Sequence, residues 1–175
     1  MFEYHFKIIV IGPGGVGKSS LIRRFVENEF SFNYKFTIGV EINSKTIEYE
    51  KGLLAKLTIW DIGGQDRFKM IRRNFYEGTH GAIVVFDLSR AQTFPKMKDW
   101  ITDMNNLLEK NVPFVILGNK SDLVPKIGET VNGNEPKKFA EEADSRYIET
   151  SAKSGVNVEV AFAELTKEIL NSFKT

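Results

Sequence analysis

Apolar residues fall in short runs at residues 6–11, 82–86 and 114–117, each too brief for a helix and rich in β-branched or aromatic side chains. Runs that are apolar at every position have no solvent face, so they predict strands of a parallel sheet covered by helices on both sides. Residues 55–60 alternate instead, with Ala55, Leu57 and Ile59 on one face, and the Glu50-Lys51-Gly52 turn before them predicts an antiparallel hairpin with residues 40–49. Helical spacing joins Trp100, Ile101, Met104, Leu107 and Leu108, and again Val158, Ala161, Phe162, Leu165 and Ile169. Two further helices are expected at residues 18–27 and, from the Asn134-Glu135-Pro136 start signal, at 134–143. The alternation predicts an α/β fold: a doubly wound, mostly parallel six-stranded sheet with one antiparallel edge strand and helices on both faces, its ligand site at the carboxyl ends of the strands. Residues 125–134, with two glycines, read as a long surface loop.

A length of 175 residues suits one domain spanning 1–175. With 24 Lys plus Arg against 23 Asp plus Glu, no global charge draws the chain to nucleic acid. The absence of cysteine excludes disulfides and thiol catalysis and agrees with a cytoplasmic home. The N-terminus has no signal-peptide pattern, position 2 is Phe rather than the glycine of myristoylation, and no apolar run approaches the roughly 18 residues of a membrane span. A soluble monomer is expected.

Directly after the first predicted strand stands Gly12-Pro13-Gly14-Gly15-Val16-Gly17-Lys18-Ser19, the G-x-x-x-x-G-K-S spacing of a phosphate-binding P-loop. Backbone N–H groups of Gly14, Gly15, Val16 and Gly17 can turn inward as an anion nest, and the helix that follows aims its positive end, with Ser19 and Ser20, at the same anion. Lys18 would bridge β- and γ-phosphate oxygens, and the Ser19 hydroxyl suits Mg2+, a hard cation that takes oxygen ligands. The plain alternative is a Gly-rich turn that only starts a helix.

Two more segments choose the base. Gly118-Asn119-Lys120-Ser121-Asp122 follows the third buried run, and Glu149-Thr150-Ser151-Ala152-Lys153 precedes the last helix. The Asp122 carboxylate can accept from both N1–H and the 2-amino group of guanine, donors that adenine lacks. Such charge-assisted bonds are worth about 1.5–3 kcal/mol each. Asn119 can brace the loop, Lys120 can lie along the ring, and the Ala152 N–H can meet the guanine carbonyl. Alone, Asn-Lys-Ser-Asp is equally a polar turn.

Over essentially its whole length the sequence resembles the Ras superfamily of small GTPases, nearest the Rab and Ras branches. The resemblance is carried by residues 12–19, Thr37-Ile38-Gly39, Trp60-Asp61 with Gly64-Gln65, residues 119–122 and Ser151-Ala152-Lys153. It implies GTP/GDP and Mg2+ as ligands, with Ser19, Thr37 and Asp61 at the metal. Phe30 would pack on the guanine, or else anchor its loop to the core, and Tyr34 would fold over the phosphates. Catalytic roles are implied for Gln65, which orients the attacking water, and for Lys18, Thr37 and the Gly64 N–H. Losing the γ-phosphate would release the Thr37 and Gly64 segments, which is the switch. An exchange factor, a GTPase-activating protein and effectors are the implied partners, in Rab-like signalling or trafficking. No arginine near Thr37 can be assigned as an internal finger, so fast hydrolysis is expected to need an outside activator.

Ile62 and Gly63 depart from the usual Ras and Rab residues, and Gly63-Gly64-Gln65 resembles Arf proteins instead. No lipid-bearing cysteine tail follows the last helix, so peripheral membrane contact would need a missing tail or a partner. Trp60, Phe75 and Tyr76 read either as an exposed aromatic patch or as core. Arg67, Lys69, Arg72 and Arg73 form a basic cluster, either a solvated face or a contact for an acidic partner. His5 and His80 receive no role. Two rival readings are a permanently nucleotide-bound scaffold and an ATP-using P-loop enzyme, the latter opposed by Asp122.

Overall fold

The computed structural model describes residues 3–128 and 130–174. Met1 and Phe2, read above for sorting signals, and the loop residue Glu129 lie outside them. Six strands, β1 (Glu3–Ile11), β2 (Val40–Glu50), β3 (Leu53–Ile62), β4 (Gly81–Asp87), β5 (Phe114–Asn119) and β6 (Arg146–Glu149), form one sheet in the order β2-β3-β1-β4-β5-β6. Only β2 and β3 pair antiparallel, so β2 is the antiparallel edge strand expected from the hairpin pattern. The sequence direction reverses around β1, between β3 and β4, and the carboxyl end of that strand is where such sheets open a crevice.

The pleat of β1 divides the interior. Phe6, Ile8 and Val10 meet one layer, built with α1 (Lys18–Glu27) and α6 (Val158–Ser172); Ile9 and Ile11 meet the other, built with α3 (Thr93–Leu107) and α5 (Asn134–Glu142), beside the short helices α2 (Arg72–Tyr76) and α4 (Val124–Ile127). α1 docks on α6 through Phe25 and Phe162, whose rings stack 3.8 Å apart at 4°. Burial of rings of this size stabilises by about 1.5–3 kcal/mol each. This contact fixes the helix that carries Lys18 and Ser19.

α1 spans the residues expected, and α3 begins earlier than its predicted stripe because Phe94 and Met97 continue it at helical spacing. The predicted loop at 125–134 is interrupted by α4, which tolerates Pro125 in its first turn because those N–H groups need no intrahelical partner. β6, with only four residues of mixed exposure, and α2 carry too little periodicity to be read from sequence. Tyr76 is core, fully enclosed, whereas Trp60 and Phe75 are half-buried against the same layer, so these three make no continuous exposed patch. The basic cluster also divides: Arg73 and Lys69 face solvent, while Arg72 is buried, its guanidinium 3.5 Å above the Trp100 ring and 3.5 Å from Asp103. Among the described residues no helix is long and apolar enough to cross a membrane.

Candidate functional site

The parallel strands deliver polar residues to one rim of the sheet. β1 runs into residues 12–19, β3 holds Asp61 next to its end, β4 ends on Asp87, β5 on Asn119, and Thr150 directly follows β6. The P-loop residues turn from β1 into α1 as expected. Gly17, with φ of 97°, leaves no room for a side chain, because a Cβ there would run into the Asn119 amide. Lys18 lies beneath this turn, 6% exposed, donating from Nζ to the carbonyls of Gly12 (2.8 Å) and Pro13 (2.9 Å). Burial pushes its pKa down to about 8; Asp61 pulls it back up, while Arg72 and Arg90 push it further down. A phosphate placed here has the charge that would raise it again.

Beside Lys18, three oxygens meet. Ser19 Oγ lies 2.8 Å from Thr37 Oγ1 and donates to Asp61 Oδ2, to which Thr37 Oγ1 also donates at 3.4 Å. Asp61 Oδ1 is buried without a hydrogen-bond partner. Burial raises the Asp61 pKa, against the hydrogen bonds from Ser19 and Thr37 and the Lys18 charge. Among the described residues there is no group of three or more His, Cys, Asp or Glu that could hold a metal ion. Two hydroxyls and an orphaned carboxylate oxygen instead fit a hard divalent cation such as Mg2+, which keeps further positions for phosphate and water.

A cavity of about 560 Å3 opens at this corner, with Gly15, Lys18, Phe30, Tyr34, Asp61 and Gln65 among its walls; Ser20 also lines it. Phe30 packs on the core cluster, as expected of a loop anchor, and also lines the cavity. The hydroxyl of Tyr34 reaches within 3.5 Å of where a Cβ on Gly15 would stand. The segments around Thr37 and Gln65 are tied together, since the Gly63 N–H donates to Gly39 O at 2.9 Å. Gly64 lies on the P-loop itself; a Cβ there would come within 2.6 Å of Gly14 N and 2.8 Å of Gly12 O. Arg72 donates to the carbonyl of Gln65 at 3.4 Å and so holds the backbone of that residue.

The segments expected to read a base are cross-braced next to Gly17, outside the walls of that cavity. Asn119, 1% exposed, donates to Val16 O at 2.9 Å and accepts from Thr150 Oγ1 at 3.1 Å and the Ala152 N–H at 3.3 Å. One residue therefore joins the P-loop to both loops. Ser151 Oγ donates to Asp122 Oδ1 at 2.6 Å, and Lys120 donates to Gly15 O at 2.9 Å. Lys153 sits exposed, its ammonium 5.4 Å from the Phe32 ring.

Three residues of this rim escaped the sequence reading. Arg24 holds the loop at 152–153, donating to Ala152 O at 2.8 Å and Lys153 O at 2.7 Å. Asp87, fully buried, pairs with both Lys120 (2.7 Å) and Arg90 (2.9 Å). Burial works to raise its pKa, but hydrogen bonds from Lys120 and Ser89 and the Lys120 charge outweigh it and hold the carboxyl below its ordinary value. The signal in the sequence was only an acid directly after the apolar run at 82–86. Arg90 donates to Gly14 O at 3.2 Å. An arginine of this chain thus stands at the P-loop, with the Tyr34 hydroxyl beside it.

The sequence profile of the Ras family matches residues 7–171. Ras-related protein Rab-1A of Dictyostelium discoideum is 42% identical over 170 residues, covering 97% of this chain and 83% of the relative. Ras-related protein Rab-4B of Rattus norvegicus and of Homo sapiens is 39% identical over 170 residues, 97% of this chain and 78% of each relative.

Proposed function

The chain belongs to the Ras family as a Rab-like small GTPase, a family that hydrolyses GTP, and from this premise we propose that its residues 1–175 form one G domain that binds GTP or GDP with Mg2+ and slowly hydrolyses GTP, serving as a switch in trafficking or signalling. The observation that carries the reading is the orphaned Asp61 oxygen beside Ser19 and Thr37, at the foot of the same turn that buries Lys18. In it, the N–H groups of residues 14–17 and Lys18 hold the phosphates, Phe30 and Lys120 flank the base, Asp122 and Ala152 read its edge, and Ser151 and Lys153 shape that edge. Mg2+, held by Ser19, Thr37 and Asp61, would neutralise charge on the β- and γ-phosphate oxygens. Thr37 and the Gly64 N–H respond to the γ-phosphate, and because Gly63 is bonded to Gly39 both segments respond together. The altered surface is what an exchange factor, an activating protein and effectors would read.

Gln65 orients the attacking water in this account. Gln65→Leu removes both polar atoms of the side chain and leaves the Arg72 bond to its carbonyl in place, so GTP affinity stays and hydrolysis slows by about 10²-fold or more, on the scale of a positioned proton-handling group. Single-turnover hydrolysis of preloaded protein measures this, and an unchanged rate would remove the role. Retention of Thr37 and Gln65 in the cavity favours turnover over a permanently loaded scaffold.

A further inference from the structure

Arg90 has no part in the scheme above, yet its position is over-determined. It stands at the turn after β4, where Asp87 Oδ2 accepts from its Nε at 2.9 Å, and Asp87 is itself fixed by Lys120 and Ser89. With Nε tethered, the terminal nitrogens are carried over the P-loop. Nη2 meets Gly14 O at 3.2 Å, and Nη2 and Nη1 lie 3.3 and 3.7 Å from where a Cβ on Gly15 would stand, next to the Tyr34 hydroxyl at 3.5 Å. Lys18 lies buried beneath the same turn, donating to Gly12 O and Pro13 O. Lys18 at Gly12 and Pro13 and Arg90 at Gly14 set two cations along one turn, an electropositive slot of the kind that a polyphosphate fills. A purely structural brace could be met by the Asp87 pair alone.

We propose that Arg90 is an internal catalytic arginine, reaching across Gly14 and Gly15 to the β- and γ-phosphate oxygens, with Tyr34 closing over it. The proposal rests on the GTPase reading. In hydrolysis the water oxygen bonds to the γ-phosphorus while the bond from that phosphorus to the β–γ bridging oxygen breaks. The electron pair stays on that oxygen of GDP, and the water proton passes to the released phosphate. A guanidinium at the slot stabilises the charge that gathers on the bridging oxygen. Gly15 suits the role, because a side chain there would press on the guanidinium.

The test compares wild-type protein with Arg90→Ala, Arg90→Gln and Arg90→Lys, each loaded with GTP and followed through one turnover without any partner, alongside GDP dissociation and binding of GDP with aluminium fluoride, a mimic of the transferring phosphoryl group. One preorganised donor is worth about 10²–10³ in rate. With a side chain 38% exposed, Arg90 is expected to contribute at least about tenfold. The Ala and Gln variants should slow hydrolysis by that factor and lose partner-free aluminium fluoride binding, Lys should retain part of both, and GDP dissociation should change by a smaller factor than hydrolysis. Unchanged hydrolysis and fluoride binding in Arg90→Gln would overturn the proposal, as would faster GDP loss with an unchanged single-turnover rate, the mark of a brace. If wild-type protein binds no guanine nucleotide, the GTPase reading itself fails. Should Arg90→Ala not fold, the Gln and Lys variants, which can still bond Gly14 O, decide between a catalytic arginine and a brace.

Discussion

Lys18→Ala is expected to lower affinity for both GTP and GDP by about 10²–10⁴. The ammonium has three N–H bonds, and the carbonyls of Gly12 and Pro13 take two, leaving one for an anion. Its burial means that the full charge acts in a poorly screened place. Stripping one partner from a buried, hydrogen-bonded charge pair costs about 3–5 kcal/mol, and each 1.4 kcal/mol is about a factor of ten. GTP and GDP should lose affinity together, because Lys18 lies under the turn that would hold the phosphate common to both. Titration with a fluorescent guanine nucleotide measures this, with thermal unfolding as the control for a folded variant. Affinity within threefold of wild type would remove the phosphate cradle from the account.

The second large effect falls on the base. Asp122→Asn should weaken GTP binding by about 10²–10⁴ and erase most of the preference over ATP. The carboxylate would accept two donors from guanine, whereas an amide offers one acceptor and sets its NH2 against a donor, leaving polar groups unpaired. Ser151, which donates to Asp122 Oδ1, has a hydroxyl that can rotate to serve an amide, so the loop keeps its brace and the loss is confined to the base. A nucleotide that carries oxygen in place of the 2-amino group should recover affinity in the variant. Competition binding with GTP, ATP and that analogue checks all three, and an undiminished GTP preference would show that Asp122 does not read the base.

These two residues were legible in the sequence for a physical reason. Residues 12–19 are at once turn, anion nest and helix start, so local spacing holds the whole design, and Asn119 to Asp122 likewise follow directly from a buried strand. What stayed hidden depends on partners distant in the chain. Asp87 looks like an ordinary strand end until β5 brings Lys120 beside it, and Arg24 is an ordinary helix residue until α6 docks on α1 and sets the loop at 152–153 against it. The basic cluster misled because neighbours in sequence need not share a surface: the helical turn at 72–76 sends Arg72 onto Trp100 and leaves Arg73 in solvent. Tyr76 followed Arg72 inward for the same reason. β6 escaped because four residues of mixed exposure fit no single period.

The central claim is that residues 12–19, 119–122 and 150–153 hold one guanine nucleotide and that Thr37, Asp61 and Gln65 turn it over. Purified protein, denatured to release what it carries and separately loaded with GTP and followed with and without Mg2+, tests this most directly. The account predicts stoichiometric guanine nucleotide and a slow conversion of GTP to GDP that depends on Mg2+. Adenine nucleotide in its place, or GTP that remains intact with Mg2+ over many hours, would contradict it.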